Sequence, residues 1–363
     1  MIHLRKRLLC IIAHEPLFEI CYPILTRLKQ RDNIDLDVVI SRRLLRLDPR
    51  FHVIFREQGL TPKSMGRLRL ELGMFGRISR ADAVLSHGDL WAKPSKHGFR
   101  DKFAARVKTQ SIFIQHGLLQ HRLNWRDGDM PNVRFHSDKL LLWDRVNHWE
   151  NSFLSEDIMP KASIIGFPKK SLFPTKKFSE TFMQFARKFE NRVLICSSFH
   201  EHWRFAAMDQ KRFYAVLDDF CTRNPKTLVI YRPHRGRHNS AEKIAMDAIL
   251  AKHFNIVVSD RHAGDFKYST INDCLEISDF CISHSSTAVM DAVYFGVPTA
   301  VLQNQWPTLE ILPQINNLGD IDNFVKSSKQ AEYARQKLVE YYGETDANLD
   351  RASVAIEEFL SQT

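Results

Sequence analysis

The sequence predicts an α/β protein made of two Rossmann-like, doubly wound domains that face one another across a cleft. Three observations carry that prediction. Strand-like and helix-like segments alternate from one end of the 363-residue chain to the other, the pattern of parallel sheets covered on both faces. The length exceeds one typical hydrophobic core and suits two domains of ordinary size. The alternation lapses between Gly166 and Ser179, where Pro, Lys and Ser dominate, so this stretch reads as the linker. The expected domains are residues 1–168 and 169–363, the second ending in helices.

In chain order, Leu8 to Ile12 is a short apolar strand, and Leu17 to Gln30 has helical spacing through Phe18, Cys21, Leu25 and Leu28. Leu36 to Ile40 is the second strand. Ala83 to Ser86 and Ser111 to Ile114 follow, each ending in a polar turn that contains Gly. Leu140 to Trp143 and Ser163 to Gly166 close the first half. The pattern restarts with strands at Arg192–Cys196, Thr227–Tyr231, Ile256–Val258, Phe280–Ser283 and Thr299–Leu302. Helical segments lie between them, near Lys211–Cys221, Ala241–Ala251 and Val289–Tyr294. Lys326 to Leu360 reads as helices separated at Tyr341-Tyr342-Gly343.

Composition narrows the class. Hydrophobic content of 44% and charged content of 26% are those of a soluble globular protein, and no apolar run approaches the roughly 20 residues that span a bilayer. The basic, apolar start is interrupted by Ala13-His14-Glu15-Pro16 and reads as a first strand, not a signal peptide. Six scattered cysteines without a C-x-x-C pair fit reduced thiols in the cytoplasm. The net charge of +10 gathers in Arg42-Arg43, Arg67 and Arg69, Lys93 to Lys108, Lys169-Lys170 and Lys176-Lys177. It marks either a solvated basic surface or a face drawn to anionic lipid. Helix-turn-helix, zinc-finger and RNP-like patterns are missing, so nucleic acid is not expected as a partner. No G-x-G-x-x-G follows the first strand, and there is no Walker loop or G-x-S-x-G elbow. No cofactor is expected, and no metal: Asp35-Leu36-Asp37 enters a strand instead of leaving one, and His200, Glu201 and His202 lack helical ligand spacing.

Four strand ends carry the chemistry. The most informative is Ser285-Ser286-Thr287, which closes an apolar run and opens a helix. Free backbone N–H groups and the helix dipole suit an anion such as a diphosphate, although plain N-capping produces the same pattern. Asp291, one turn further on, is placed either for a ribose or sugar hydroxyl or to complement the dipole. Arg232-Pro233-His234-Arg235 follows a buried strand and offers guanidinium forks to phosphate oxygens. Gln115-His116-Gly117 puts a histidine at a strand end beside glycine, where it can take a proton near neutral pH. Ser198, with His200 and Glu201, closes the first strand of the second half. His14 and His87 close strands of the first half in the same manner.

This order of features resembles GT-B-type transferases that build bacterial surface polymers. The nearest resemblance is to CDP-glycerol or ribitol glycerophosphotransferases and related capsule or lipopolysaccharide glycosyltransferases. It rests on Gln115-His116-Gly117, Arg232-Pro233-His234, the Ser285-Ser286-Thr287 helix start, Gly296-Val297-Pro298, and the Ile164 to Pro168 join. It covers residue 80 to the C-terminus. Ser283-His284 stands where the glycerophosphotransferases show Asp-Tyr, which favours a nucleotide-sugar donor over a polyol-phosphate one. The resemblance implies an acceptor-side first domain and a donor-binding second domain. It implies His116 as the catalytic base, Arg232 and His234 on the donor's phosphates, and Ser285, Ser286 and Thr287 on donor phosphate. His234 is expected to be catalytic beside His116, and the strand ends themselves add Arg235, Ser198 and Asp291 to the residues expected on the donor. His14, Gln115, His87, His200 and Glu201 are expected on the acceptor. Direct displacement without metal, on a glycan or lipid-linked acceptor at the inner membrane face, is the expected reaction. Three alternatives stay open. One is a polyol-phosphate transferase of the CDP-glycerol or ribitol type and another a non-catalytic nucleotide-binding scaffold; the third is an epimerase of a nucleotide sugar, for which Glu201 and Asp291 are the available acids.

Overall fold

The computed structural model describes residues 5–12, 15–66, 75–78, 80–86, 109–120, 123, 137–144, 156–198, 207–234, 240–316, 318–326 and 328–362. The chain divides into two compact units, Met1–Phe173 with Tyr342–Thr363, and Pro174–Tyr341.

The first unit is built on a seven-stranded sheet: β1 (Lys6–Ile12), β2 (Ile34–Ser41), β3 (Lys63–Met65), β4 (Ala83–Ser86), β5 (Gln110–Ile114), β6 (Lys139–Leu142) and β7 (Ala162–Ile164), in the order β3-β2-β1-β4-β5-β6-β7. Every pairing is parallel. The direction of winding reverses between β1 and β4, where an open parallel sheet accepts ligands beyond its strand ends. The strands are continuous apolar runs because both faces are covered: Leu8, Leu9, Cys10 and Ile12 are all fully buried.

The helix Glu15–Leu28 lies on this sheet and contains Pro23. Proline has no N–H, so the Glu19 carbonyl one turn earlier loses its helical donor. The Lys170 backbone N–H takes that place at 3.0 Å, and Lys169 Nζ meets the buried Glu19 carboxylate at 3.1 Å. The segment leaving the first unit is thus docked on the proline break of its first helix. Beside it, Phe18, Tyr22, Phe51, Phe55 and Phe173 form one aromatic cluster.

The expectation for residues 169–363 differs from the structure at the C terminus. The last helix, Thr345–Ser361, belongs to the first unit. Its apolar face, including Leu349, Ala352, Ile356 and Leu360, is buried, and Arg27 bonds Asp346 at 2.7 Å and also reaches Asp350. The return is fixed by two glycines. Gly166 and Gly343 have φ of +76° and +82°, and a Cβ at Gly166 would lie 2.0 Å from the Tyr342 carbonyl oxygen. Fully buried Asn348 joins them, its Nδ2 donating to the carbonyls of Phe167 and Gly343, both at 2.9 Å.

The second unit holds a six-stranded parallel sheet: β8 (Asn191–Cys196), β9 (Thr227–Arg232), β10 (Ile256–Val258), β11 (Phe280–His284), β12 (Thr299–Leu302) and β13 (Gln314–Ile315), in the order β10-β9-β8-β11-β12-β13. One face packs Val193, Ile195, Tyr231, Phe280 and Ile282 against the helices Ala207–Arg223, Ser240–Leu250 and Leu318–Lys326. The other packs Leu194, Cys196, Ile230 and Cys281 against Glu180–Ala186, Ile271–Glu276 and Thr287–Phe295. Successive side chains alternate between these two cores, as the period of two requires. Winding reverses between β8 and β11.

Candidate functional site

The strand register of the second unit brings its polar strand ends into one row. Cys196 pairs with Arg232 on one side and Ser283 on the other, and Ser283 pairs with Val301. The residues that follow each strand therefore leave the sheet side by side: Pro233-His234, Ser197-Ser198, Ser285-Ser286 and Gln303-Asn304. This edge includes the β8/β11 switch point, the place where doubly wound sheets take ligands.

Thr287–Phe295 begins here as the sequence predicts. Ser286 is its N-cap, with Oγ accepting from the Ala288 N–H at 3.2 Å. Ser285 is fully buried; its Oγ donates to Asn304 Oδ1 at 2.9 Å and accepts from the Gln305 N–H at 2.8 Å. Both hydroxyls thus have work in the fold, and what this turn offers an anion is the helix start with its dipole. Thr287 and Asp291 are half-buried on the first turns of the same helix. Gly296, φ +92°, ends it in the left-handed conformation that a C-terminal glycine supplies.

Arg232 is 8% exposed, and its guanidinium is turned inward. Nη1 donates to Ser259 Oγ at 2.7 Å, and Nη2 donates to the Ser269 carbonyl at 3.3 Å. The arginine read as a phosphate fork therefore pins the segment following β10 to the end of β9. Cys274 lies against it; burial raises that thiol's pKa despite the guanidinium and a bond with Ser259. Ser198 is buried at the end of β8, and Ser197 Oγ bonds Tyr231 Oη at 2.7 Å. His234 is half-buried just past β9. Arg235, His200 and Glu201 lie outside the described residues.

In the first unit, Gln115 is buried and both ends of its amide are engaged. Nε2 donates to the Gly117 carbonyl at 2.9 Å, and Oε1 accepts from the Trp143 N–H at 2.8 Å. The Gln-His-Gly turn is closed by its own glutamine, which leaves half-buried His116 at its apex, with the His116 N–H donating to Gln120 Oε1 at 3.1 Å. His14 and His87 lie outside the described residues. Asp37 lies within β2, inside the strand expected over Leu36 to Ile40. Burial would raise its pKa, but the hydrogen bond from Arg7 and the charges of Arg77 and Lys63 hold it below the ordinary carboxylate value.

Sequence reasoning missed several members of the second edge: buried Ser259, Arg261 and Ser269 around β10, and Gln303-Asn304 after β12. Tyr268 and Gln303, with φ of +66° and +49°, are the non-glycine residues at positive φ among the described residues, and both sit in loops of this edge. Such strain has no sequence signal, because neither residue type favours it.

No protein-family model matches the sequence, and no curated protein matches it. The fold itself has clear relatives. Two parallel α/β units of this kind define the GT-B type, shared with enzymes that act on nucleotide sugars. A putative UDP-N-acetylglucosamine 2-epimerase from Listeria monocytogenes superposes with a TM-score of 0.70 over 99% of this chain and 97% of its own, at 15% identity. The S. aureus MnaA–UDP co-structure gives 0.67 over 99% and 98%, at 12% identity. The wall teichoic acid polymerase TagF gives 0.55 over 99% and 89%, at 12% identity. At these identities the shared property is the fold.

Proposed function

We propose that this protein is a nucleotide-sugar-dependent transferase that holds its donor at the carboxyl edge of the second sheet. The observation that supports this reading is the in-register row of polar strand ends at the β8/β11 switch point, closed by the Ser285–Thr287 helix start. A diphosphate placed there meets the positive end of the helix dipole. His234 and Arg235, from the loop after β9, are the proposed further donor contacts. Arg232, Ser285 and Ser286 hold the edge in shape through the bonds described above.

In the proposed reaction His116 takes the proton of an acceptor hydroxyl. The acceptor oxygen bonds to the donor's anomeric carbon as that carbon's bond to the diphosphate breaks. The nucleoside diphosphate leaves with its charge stabilised at the helix start. The acceptor is a glycan or lipid-linked cell-envelope precursor, and the excess of basic residues favours a place at an anionic membrane face. No helix among the described residues is long and apolar enough to cross a membrane. The likeness to TagF supports the related reading in which phosphorus is the atom attacked.

One observation favours a second reading. The similarity to a putative UDP-N-acetylglucosamine 2-epimerase spans both chains almost entirely, and an epimerase works without an acceptor. Incubation with UDP-GlcNAc in D2O, followed by NMR, separates the two. Inversion at C2 with solvent deuterium incorporated supports the epimerase. UDP release that requires an added glycan acceptor supports the transferase.

A further inference from the structure

We infer that Gln303 is a specificity-determining residue, whose side-chain amide oxygen accepts a hydrogen bond from the bound nucleotide. The inference rests on the nucleotide reading above and adds to it a residue that neither motif nor resemblance indicated. Two independent observations single it out. First, its backbone is held at φ +49° although it carries a side chain, a conformation that persists only where surroundings over-determine it. Those surroundings are visible: Asn304 Oδ1 accepts from Ser285 Oγ at 2.9 Å and from the Trp306 N–H at 3.0 Å, while the Gln305 N–H donates to Ser285 Oγ at 2.8 Å. The strained residue is clamped to the helix start proposed for the diphosphate.

Second, Gln303 Oε1 is buried and has no hydrogen-bond partner among the described residues. Buried acceptors are nearly always satisfied, by protein, water or a bound group, and this one lies in the loop beside the helix start proposed for the diphosphate. Strain and an unsatisfied acceptor thus meet in one residue. Both are explained if the clamp exists to hold that oxygen toward a ligand. The complementary group is an N–H or O–H donor. A nucleotide sugar offers it from two places, the base or ribose on one side of the diphosphate and the carried group on the other.

The test uses the intact protein and its Gln303→Ala and Gln303→Gly variants, titrated calorimetrically with UDP, UDP-GlcNAc, CDP and CDP-glycerol. Melting temperatures are read without ligand. Glycine accepts φ +49° freely, so Gln303→Gly should melt no lower than wild type while losing affinity. One missing hydrogen bond predicts a loss of about ten-fold. Equal loss for a nucleoside diphosphate and its larger conjugate supports a contact to the nucleoside. Loss for the conjugate alone supports a contact to the carried group. Unchanged affinities in both variants, with wild type binding, overturn the role of Gln303 and leave the nucleotide reading standing. A lowered melting temperature in Gln303→Gly also overturns it, because the amide is then structural. Failure of wild type to bind any of the four overturns the nucleotide reading itself.

Discussion

Replacing Asn348 with alanine tests how the first unit captures its returning helix. The side chain is fully buried, and its Nδ2 donates to the carbonyls of Phe167 and Gly343, each at 2.9 Å. Its Oδ1 accepts from Arg351. Alanine strands two buried carbonyls, at about 1–3 kcal/mol each. The variant should lose about 3–5 kcal/mol, a large share of the 5–15 kcal/mol typical of a domain. Asn348→Asp keeps the shape but turns an anion toward the two carbonyls, so it should be no more stable than alanine at neutral pH. Because the chain has two units, the assay is hydrogen exchange by mass spectrometry, comparing β6, β7 and the last helix with β8 and β9. Protection should fall in the first set and hold in the second. A loss below about 1 kcal/mol would refute the reasoning, because the carbonyls would then have found other donors.

Four further outcomes follow from named residues. Asp37→Asn leaves Arg7, Arg77 and Lys63 gathered without their carboxylate; urea titration should show a loss of about 2–3 kcal/mol, below the value for fully buried pairs because the cations are partly exposed. Since the folded-state pKa of Asp37 is depressed, its contribution is complete above the unfolded value of about 3.9 and disappears as pH falls through the folded one, so Asp37→Asn should flatten the acid limb of the stability curve. Arg232→Lys should lower both melting temperature and nucleotide affinity, because one ammonium cannot serve Ser259 and Ser269 together; normal values of both would remove the pinning role. His116→Ala should cut turnover by about 100-fold or more while nucleotide binding persists, and an unchanged turnover excludes it as the base. All six cysteines are buried, with the thiol of Cys221 pushed up to about 12 chiefly by burial, so a thiol reagent should label the native protein negligibly and react fully in denaturant.

Much of the architecture was legible in the sequence because parallel strands buried on both faces write themselves as apolar runs. β1, β5, β8, β9, β11 and β12 fall where those runs fall. β3, with exposed Lys63 and Ser64, and β13, with the two residues Gln314–Ile315, have no such run and were not foreseen. Pro23 was visible, but not its consequence: a carbonyl freed in one helix and claimed by the distant Lys170 N–H. The return of the last helix to the first unit was hidden for the same reason. Its signal is the meeting of Gly166, Gly343 and Asn348, which the sequence keeps far apart. At the candidate site, residue types at strand ends revealed where polar groups collect. They could not reveal direction, so the bonds that Arg232 and Gln115 make within the fold are not legible there. Gln303 carries no such signal, because strain belongs to the backbone.

Thermal-shift binding of the intact protein to UDP, CDP, GDP and dTDP, and to their sugar or polyol conjugates, with and without EDTA, tests the central claim most directly. A ligand at 100 times its Kd stabilises by about 2.7 kcal/mol. The account predicts that one nucleoside diphosphate class, with its conjugate, raises the melting temperature by several degrees whether or not EDTA is present. No shift with any member of the panel would contradict it, and would leave Ser285-Ser286-Thr287 as a helix cap alone.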